Sequence, residues 1–463
     1  MRYSKTVCAV LAVIMIFTAT VTCTSAAGDP DWYLLASEIS EAVSNCEEQV
    51  YFSVPVNKTA DNQSDLLNFV FYDIPEAFHV SAIYWIISGS KINGLGFIYL
   101  YTDGYAEELA ELRDVVDSMT ADLVDADISD AEKALVLHDR LAVHTEYDYQ
   151  SYLNGTIPDS SYTAYGALVN RKSVCMGYTL AYTMLLNAVG IKSRSCDSDA
   201  LNHVWNIVTI NGMEYHVDVT FDDPVWDVTG RVYHDNFLIS SQTLISRGHN
   251  ASDFEKTPFD KSFEGEYWES SDAEIQYLGG ELYYIDSATE TLRRADGVEL
   301  LSVDDTWMAD EGSFWGGNYS RLSNDGSALL YSLSDSIWSY NPETGICELF
   351  YQPDLPEGEY CSIYGFDYDA ATRTLTYLPN TSPNCDANTK LDNQVVIIYP
   401  DVPQPDFLLG DINYDGIVDL LDLSELATLL SNGYVEVCDE NDINSDGTVD
   451  LIDLSGLAIM LAG

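Results

Sequence analysis

His203-Val-Trp-Asn-Ile-Val-Thr-Ile210, then Asn211-Gly212, then Met213-Glu-Tyr-His-Val-Asp218-Val-Thr220 is the stretch that decides the fold in the middle of this chain. Its two halves alternate like strands, and Asn-Gly between them is the strongest short signal for a hairpin. A two-residue turn pairs Ile210 with Met213 and, counting outward, Trp205 with Asp218 and His203 with Thr220. His203 and Asp218 then become diagonal neighbours on one face, about 7–8 Å apart along the backbone, within reach of an imidazole–carboxylate hydrogen bond. His216 shares that face by parity and competes with His203 as a base.

Upstream, Arg171-Lys-Ser-Val-Cys175-Met-Gly177-Tyr-Thr-Leu-Ala opens a run that closes at Ala188-Val189-Gly190. Leu180, Met184 and Leu185 mark its buried side, and Gly190 can adopt the left-handed conformation that stops a helix. Cys175 therefore sits at a helix N-terminus, where unpaired N–H groups and the macrodipole favour the nucleophilic thiolate. The competing reading is a buried or disulfide-bonded cysteine. With His203 to take its proton and Asp218 to orient that ring, Cys175 completes the logic of nucleophile, base and orienter.

Before this run, Leu109, Leu112, Val116, Met119 and Leu123 recur at helical steps from about Tyr105. A second helix follows, with Ser129 and Glu132 as a capping box and Ala134, Leu137 and Leu141 as its apolar stripe. His138, beside that stripe, reads as a structural histidine.

Cys-x-Gly-Tyr at a helix start, His-x-Trp-Asn, and Tyr-His-x-Asp-x-Thr together resemble the transglutaminase-like, papain-related superfamily, particularly its secreted bacterial branch. Leu137-His138-Asp139, Glu146-Tyr147-Asp148 and Tyr162 to Val169 fit that branch too, so the resemblance spans roughly residues 100 to 225. It implies an α+β domain with Cys175, His203 and Asp218 as the triad and no cofactor for catalysis. By the same analogy the N–H of Cys175 is one oxyanion donor and Tyr165 a second.

The chain ends on a duplication. Asp411-Ile-Asn-Tyr-Asp-Gly-Ile-Val-Asp-Leu-Leu-Asp422 returns from Asp442, and 14 of the 20 positions in 411–430 are identical in 442–461. Counted from the first Asp, Asp411, Asn413, Asp415, Ile417, Asp419 and Asp422 occupy positions 1, 3, 5, 7, 9 and 12. Asp442, Asn444, Asp446, Thr448, Asp450 and Asp453 repeat them. Oxygen ligands at that spacing, with position 7 acting through its backbone carbonyl, wrap one Ca²⁺ per loop. Gly416 and Gly447 stand at the sharp turn of position 6.

This tail resembles a type I dockerin, the small all-α module with two calcium loops that docks enzymes of anaerobic bacteria onto a cohesin domain of a scaffoldin. Both loops carry Asp at position 12 and run straight into apolar helices, as in that family. Positions 10 and 11, which choose the cohesin in many dockerins and are hydroxylated there, are Leu420, Leu421, Leu451 and Ile452 here, so the implied contact is apolar.

At the other end, Arg2 and Lys5 precede the apolar run Val7 to Phe17 and a small-residue stretch ending Ser25-Ala26-Ala27. This is the pattern of a secretory signal cut after Ala27, since the run is shorter than the roughly 20 residues a bilayer requires. A secreted protein, cell-surface bound through a cellulosome, is the expected location, with no membrane span. With 75 acidic and 20 basic side chains the net charge is −55, and no stretch gathers Lys and Arg, which argues against nucleic acid as a partner. Of nine cysteines, Cys8 and Cys23 fall in the signal, and the seven that remain leave at least one thiol unpaired.

A multidomain order follows: signal 1–27, the transglutaminase-like domain with its α+β lead-in 28–255, a β-rich domain 256–399, a Pro-containing linker 400–406 and the dockerin-like tail 407–463. Segments such as Glu281-Leu-Tyr-Tyr-Ile and Thr374-Leu-Thr-Tyr-Leu lie between turn residues and make the third part all-β, either a sandwich or an incomplete propeller. The expected function is cysteine acyl transfer on amide bonds of a protein or peptide, hydrolysis ahead of cross-linking, with the enzyme held on a scaffoldin. A non-catalytic adaptor that binds protein or polysaccharide is the alternative. A glycoside hydrolase is a third possibility, for which no motif identifies paired carboxylates.

Overall fold

The structure is a computed structural model of the chain and describes residues 32–223, 225, 227–305, 308–310, 313–314, 319–354, 361–380, 395–399, 410, 412, 418, 420–431, 441, 443–444 and 448–462. The expected signal 1–27 and linker 400–406 lie outside the described residues. The chain divides into two compact units, Met1–Ala370 with Leu375–Val396, and Ala371–Thr374 with Ile397–Gly463. Among the described residues no helix is long and apolar enough to cross a membrane.

The first unit begins with α1 (Trp32–Ser44), β1 (Gln49–Asn57), α2 (Ala60–Tyr72), β2 (Val80–Ser88) and β3 (Lys91–Tyr99). The strands form an antiparallel sheet ordered β1-β3-β2. Ile39, Val43, Leu66, Val70, Trp85 and Leu95 give this lead-in a core of its own.

Next come α3 (Tyr105–Thr120) and α4 (Asp130–His144). In α4 the expected capping box forms in both directions: Glu132 N–H donates to Ser129 Oγ at 3.2 Å and Ser129 N–H to Glu132 Oε2 at 2.8 Å. The short elements β4 (Glu146–Tyr147), α5 (Tyr149–Asn154), α6 (Ala164–Leu168) and β5 (Lys172–Ser173) lead to α7 (Cys175–Ala188). The sequence marks one apolar side on α7, yet every residue from Gly177 to Leu186 is buried. A helix enclosed on all faces is central to its domain: α3, α4 and α6 pack on it, as do the strands that follow.

Those strands are β6 (Lys192–Ser198), β7 (His203–Ile210) and β8 (Met213–Val217), in one antiparallel sheet. The hairpin register is the expected one, with Ile210 opposite Met213 and Asn206 opposite Val217. Asn211 and Gly212 both take positive φ, 52° and 79°, as a type I′ turn requires. The ladder stops sooner than expected. Asp218 leaves the strand to cap the short helix α8 (Val219–Asp222), its carboxylate accepting the Phe221 N–H at 3.1 Å. Neither Trp205 with Asp218 nor His203 with Thr220 is therefore a strand pair; His203 pairs with Ser198 of β6. The helix α9 (Ser241–Ser246) follows.

The rest of this unit is rich in sheet. Strands β9 (Gln276–Leu278), β10 (Glu281–Asp286), β11 (Thr291–Arg294) and β12 (Glu299–Ser302) form one four-stranded antiparallel meander. A two-stranded ribbon, β13 (Met308–Asp310) with β14 (Ser313–Phe314), precedes a second meander, β15 (Leu322–Asn324), β16 (Leu329–Ser332), β17 (Ile337–Tyr340) and β18 (Cys347–Tyr351). Tyr283, Ile285, Leu292, Leu322, Leu329 and Tyr331 share one core between the meanders. Trp268, Ile275, Leu282 and Tyr284 instead belong to the core built around α7.

In the second unit, α10 (Leu420–Ser431) and α11 (Leu451–Ala462) pack together. Ile412, Leu426 and Leu457 form their core.

Candidate active site

The first turn of α7 is held by the residues that follow Cys175. Gly177 has no room for a side chain, since a Cβ there would lie 2.0 Å from Ser173 Oγ and 2.7 Å from the Thr163 carbonyl oxygen. Tyr178, fully buried, donates its hydroxyl to the Thr145 carbonyl at 2.7 Å and also contacts the Asp223 carboxylate. Thr179 Oγ1 donates to the Cys175 carbonyl at 2.9 Å and to the Val204 carbonyl at 3.2 Å, which ties the start of α7 to β7 beside His203. Asn206 completes the clamp: its amide donates to the Thr179 carbonyl, to Thr183 Oγ1 and to Ser193 Oγ at 3.1, 2.9 and 3.1 Å. The Gly-Tyr and Trp-Asn of the sequence motifs are thus the parts that bring a helix start and a strand start together.

His203 Nε2 lies 2.6 Å from Asp218 Oδ2, and Cys175 is near enough to act on the charge of the ring. With Nε2 on the carboxylate, Nδ1 is the nitrogen left for the thiol. The three residues expected as a triad are therefore contiguous, although Asp218 reaches His203 from a helix cap and not from a strand. Burial alone lowers the His203 pKa, but the Asp218 charge and hydrogen bond, with those of Cys175, outweigh it and raise the ring to about 10. Burial likewise works to raise Asp218, and His203 and His249 overcome it and hold the carboxyl well below the usual range.

His249 is the residue that sequence reading missed. Its Nε2 lies 2.7 Å from the same Asp218 Oδ2, the residue is fully buried, and its ring packs against Trp205 and Phe221. It stands in the loop after α9, outside any motif or period, so no local signal points to it. Its Nδ1 is buried with no hydrogen-bond partner among the described residues. His216, the competing base, is excluded by its own contacts: Nδ1 accepts from Trp205 Nε1 at 3.0 Å, Nε2 meets Ser241 Oγ at 2.9 Å, and burial pushes its pKa down to about 3.

Cys175 and His203 open into a cleft of about 160 Å³ whose walls include Tyr72, Tyr147, Tyr152 and Tyr162, with Asp197 and Asp199 on the β6 side. Tyr165, expected as an oxyanion donor, does not line this cleft. It lies on α6 and gives its hydroxyl to Glu111 at 2.7 Å, a partner the periodicity of α3 does not reveal. The N–H of Cys175, at the first position of α7, has no acceptor within the helix.

A second histidine–aspartate cluster lies in the interior. His138 Nδ1 meets Asp139 Oδ1 at 2.8 Å, His138 Nε2 lies 3.3 Å from Asp222 Oδ2, and His234 Nε2 is 3.0 Å from Asp139 Oδ2. All four side chains are fully enclosed, and Asp139 also accepts the Ile275 N–H at 2.7 Å. This cluster bonds α4 to α8 and to the start of the first meander, so His138 is structural, as its position beside an apolar stripe implies. Each histidine–aspartate cluster brings three ligand-type atoms within 4.8 Å of one another. At nitrogen–oxygen separations of 2.6–3.0 Å these pairs have the spacing of hydrogen bonds, with a proton between the two atoms.

In the second unit, Asp422 and Asp453 are fully buried at the starts of the two helices. Asp422 Oδ1 accepts the Ile412 N–H at 2.8 Å; Asp453 accepts from Asn444 and Asp450 at 3.2 and 2.8 Å. Position 12 thus reaches back into its own loop in both copies. Thr448 and Asp450 lie on the surface, while Asp411, Asn413, Asp415, Ile417, Asp419, Asp442 and Asp446 lie outside the described residues. Leu420, Leu421, Leu451 and Ile452 are all strongly exposed, 72, 63, 69 and 59%. Among the described residues, Cys46, Cys175, Cys196 and Cys347 are free thiols.

Residues 117–221, which include Cys175, His203 and Asp218, match the family described as the transglutaminase-like superfamily. A solved structure described as "Crystal structure of a TGase" is similar at 14% identity with a TM-score of 0.21, covering 37% of this chain and 50% of that one. The chain thus spans half the length of that structure. No curated protein matches. The chain contains a transglutaminase-like α+β domain alongside several sheet-rich regions.

Proposed function

We propose that the protein is a cysteine acyl-transfer enzyme acting on an amide bond of a protein or peptide. The observation that carries this reading is the hydrogen bond from buried Asp218 to His203, whose ring shares a cleft with Cys175 at a helix N-terminus. The superfamily match supports the reaction class.

In the first half-reaction the Cys175 sulfur, its proton held on His203 Nδ1 as a thiolate–imidazolium pair, attacks the carbonyl carbon. The carbonyl electrons move to oxygen beside the N–H groups that begin α7. Collapse breaks the C–N bond, and the leaving nitrogen takes the proton from His203. In the second half-reaction water gives a proton to His203 and attacks the thioester, and the thiolate leaves. Asp218 acts through His203 and not on substrate: it fixes which nitrogen faces the sulfur and steadies the imidazolium. No cofactor enters these steps.

The test is alkylation of the mature protein with iodoacetamide at mildly acidic pH, followed by turnover of a peptide library with and without added lysine amine. Single-site reaction at Cys175 and released peptide are expected, with the amine leaving the product pattern unchanged. Products that incorporate the amine would make the enzyme a cross-linker. An inert Cys175 would leave the adaptor.

The tail carries a separate proposal: the protein is exported and docks through its duplicated loops onto a cohesin domain of a scaffoldin, as part of a cellulosome. Support comes from the repeat itself, from its exposed Leu420, Leu421, Leu451 and Ile452, and from two buried carboxylates, Asp422 and Asp453, that suit a hard cation. Two Ca²⁺ ions would be held by Asp411, Asn413, Asp415, Ile417, Asp419 and Asp422, and by Asp442, Asn444, Asp446, Thr448, Asp450 and Asp453. The positive charge that calcium supplies offsets the repulsion among four carboxylates per loop.

A further inference from the structure

We propose that the Cys175 cleft selects an acyl donor bearing a cationic side chain, an ammonium or guanidinium, next to the scissile amide. This rests on the acyl-transfer reading and names its substrate class. Asp197 and Asp199 stand on the β6 wall of the cleft, and no Lys or Arg is among the described residues that line it. The nearby cation of the same strand, Arg194, is already held by Glu255 at 2.5 Å and by Glu214 at 3.2 Å. Asp253 adds a third carboxylate behind the wall, accepting from Ser198 Oγ and from the Ala200 N–H at 2.7 and 2.8 Å. Burial, then Asp199 and Asp253, raise the Asp197 carboxyl above its ordinary value.

An acidic rim alone would mean little on a chain of net charge −55. What sets this one apart is what faces it: Tyr72, Tyr147, Tyr152 and Tyr162 bring four aromatic rings to the same cleft as the two carboxylates and the nucleophile. Tyr147 and Tyr152 meet edge to face, with centroids 6.3 Å apart. A cation is drawn both to carboxylates and to the faces of tyrosine rings, and a desolvated cleft strengthens both attractions. A neutral or acidic side chain gains neither. The cation enters as part of the acyl donor because it must be bound while Cys175 attacks.

The test needs no known substrate. Modification of Cys175 in the full mature chain is timed with a cationic and an anionic methanethiosulfonate, 2-aminoethyl and 2-sulfonatoethyl, and with neutral iodoacetamide. Cys347, an exposed thiol on β18, serves as the internal control for the charge of the whole molecule. The cationic-to-anionic rate ratio at Cys175 should exceed that at Cys347 by about tenfold at low salt and shrink as salt is added. In the Asp197→Asn, Asp199→Asn double variant the ratio at Cys175 should fall toward that at Cys347. Peptides with Lys or Arg beside the scissile bond should show kcat/KM about tenfold above their Glu counterparts. Equal ratios at the two thiols, or peptide turnover indifferent to charge, would overturn the proposal while leaving the acyl-transfer reading intact. An effect of the Asp variants on transfer to an added amine, with peptide acylation unmoved, would also overturn it, since the cation would then belong to the acceptor. A Cys175 no faster than Cys347 with iodoacetamide would instead sink the acyl-transfer reading itself.

Discussion

Among the described residues two cysteine–histidine pairs, Cys46 with His79 and Cys175 with His203, behave in opposite ways. Cys46 Sγ lies 3.6 Å from His79 Nε2, the ring of which is stacked between Tyr99 and Tyr105 with centroids 4.6 and 3.4 Å away. Burial pushes His79 down to about 4 and the Cys46 thiol up, so both groups are neutral at physiological pH. His203 is nearly as enclosed, yet its pKa rises to about 10 because Asp218 stands behind it. A thiol beside an imidazole is therefore not a dyad by proximity. The carboxylate on the far nitrogen, and a helix N-terminus under the sulfur, decide whether the pair can hold a separated charge.

The most severe way to break this comparison is to exchange the thiols' fates. Cys175→Ala should abolish peptide turnover and the acid-pH alkylation, while Cys46→Ala should leave both at the wild-type rate. Equal alkylation of Cys46 and Cys175 in the wild type, read by mass spectrometry of tryptic peptides, would erase the distinction.

Asp218→Asn is expected to cost roughly 10³–10⁴ in kcat, since the imidazole loses its orienting anion. The sign of the pH effect follows from the same contact. His203 titrates at about 10 with the carboxylate present, so the imidazolium persists through neutral pH and activity falls only as pH rises toward that value. Without the anion, only Cys175 opposes the effect of burial on the ring, so its pKa falls and the alkaline limb of the pH–rate profile should move to lower pH. A limb that stays in place would mean Asp218 does not govern His203.

Buried carboxylates extend the comparison to the tail. Asp218 has two histidines to hold its charge, whereas Asp422 and Asp453 take backbone N–H groups and await a cation in the calcium reading. Chelation should lower the melting transition of the second unit by several degrees, and excess Ca²⁺ should restore it. Identical calorimetric melting in chelator and in Ca²⁺ would remove calcium from the account.

His249→Leu should lower the alkylation rate of Cys175 by about tenfold, because Asp218 loses one of the N–H donors that hold it in place. His249→Gln carries an amide N–H near the position of Nε2 and should recover most of the rate. Recovery is the informative half, since a merely structural loss would not respond to the restored donor. The smallest effect belongs to the surface of the tail. Leu420→Asp with Leu421→Asp should change binding to a matched cohesin by no more than about twofold, because Leu451 and Ile452 present the same apolar pair on the other repeat. Loss of binding in a pull-down would show that the two repeats are not equivalent.

Much of this was legible in local sequence. The hairpin register, the capping box of α4 and the N-terminal place of Cys175 on α7 follow from rules that act over a few residues, whereas Asp218 meets His203 from a helix cap that the strand pattern does not show. The duplicated loops are visible in the same way, because the ligand spacing on which the proposed calcium sites rest is a pattern of neighbouring residues.

What escaped is what arrives from a distance. His249 comes 31 residues after Asp218 and shares its oxygen only because the loop after α9 folds back over Trp205. Tyr165 carries the family's expected position but spends its hydroxyl on Glu111, 54 residues upstream. Cys46 and His79 meet across 33 residues, and nothing at either position distinguishes that contact from the one at Cys175. The sequence by itself determined which residues can do chemistry and how each sits in its own helix or strand, because dihedral preference and side-chain period are local. Only the tertiary structure decided which of them are charged, since burial and an opposing carboxylate are supplied by other parts of the chain.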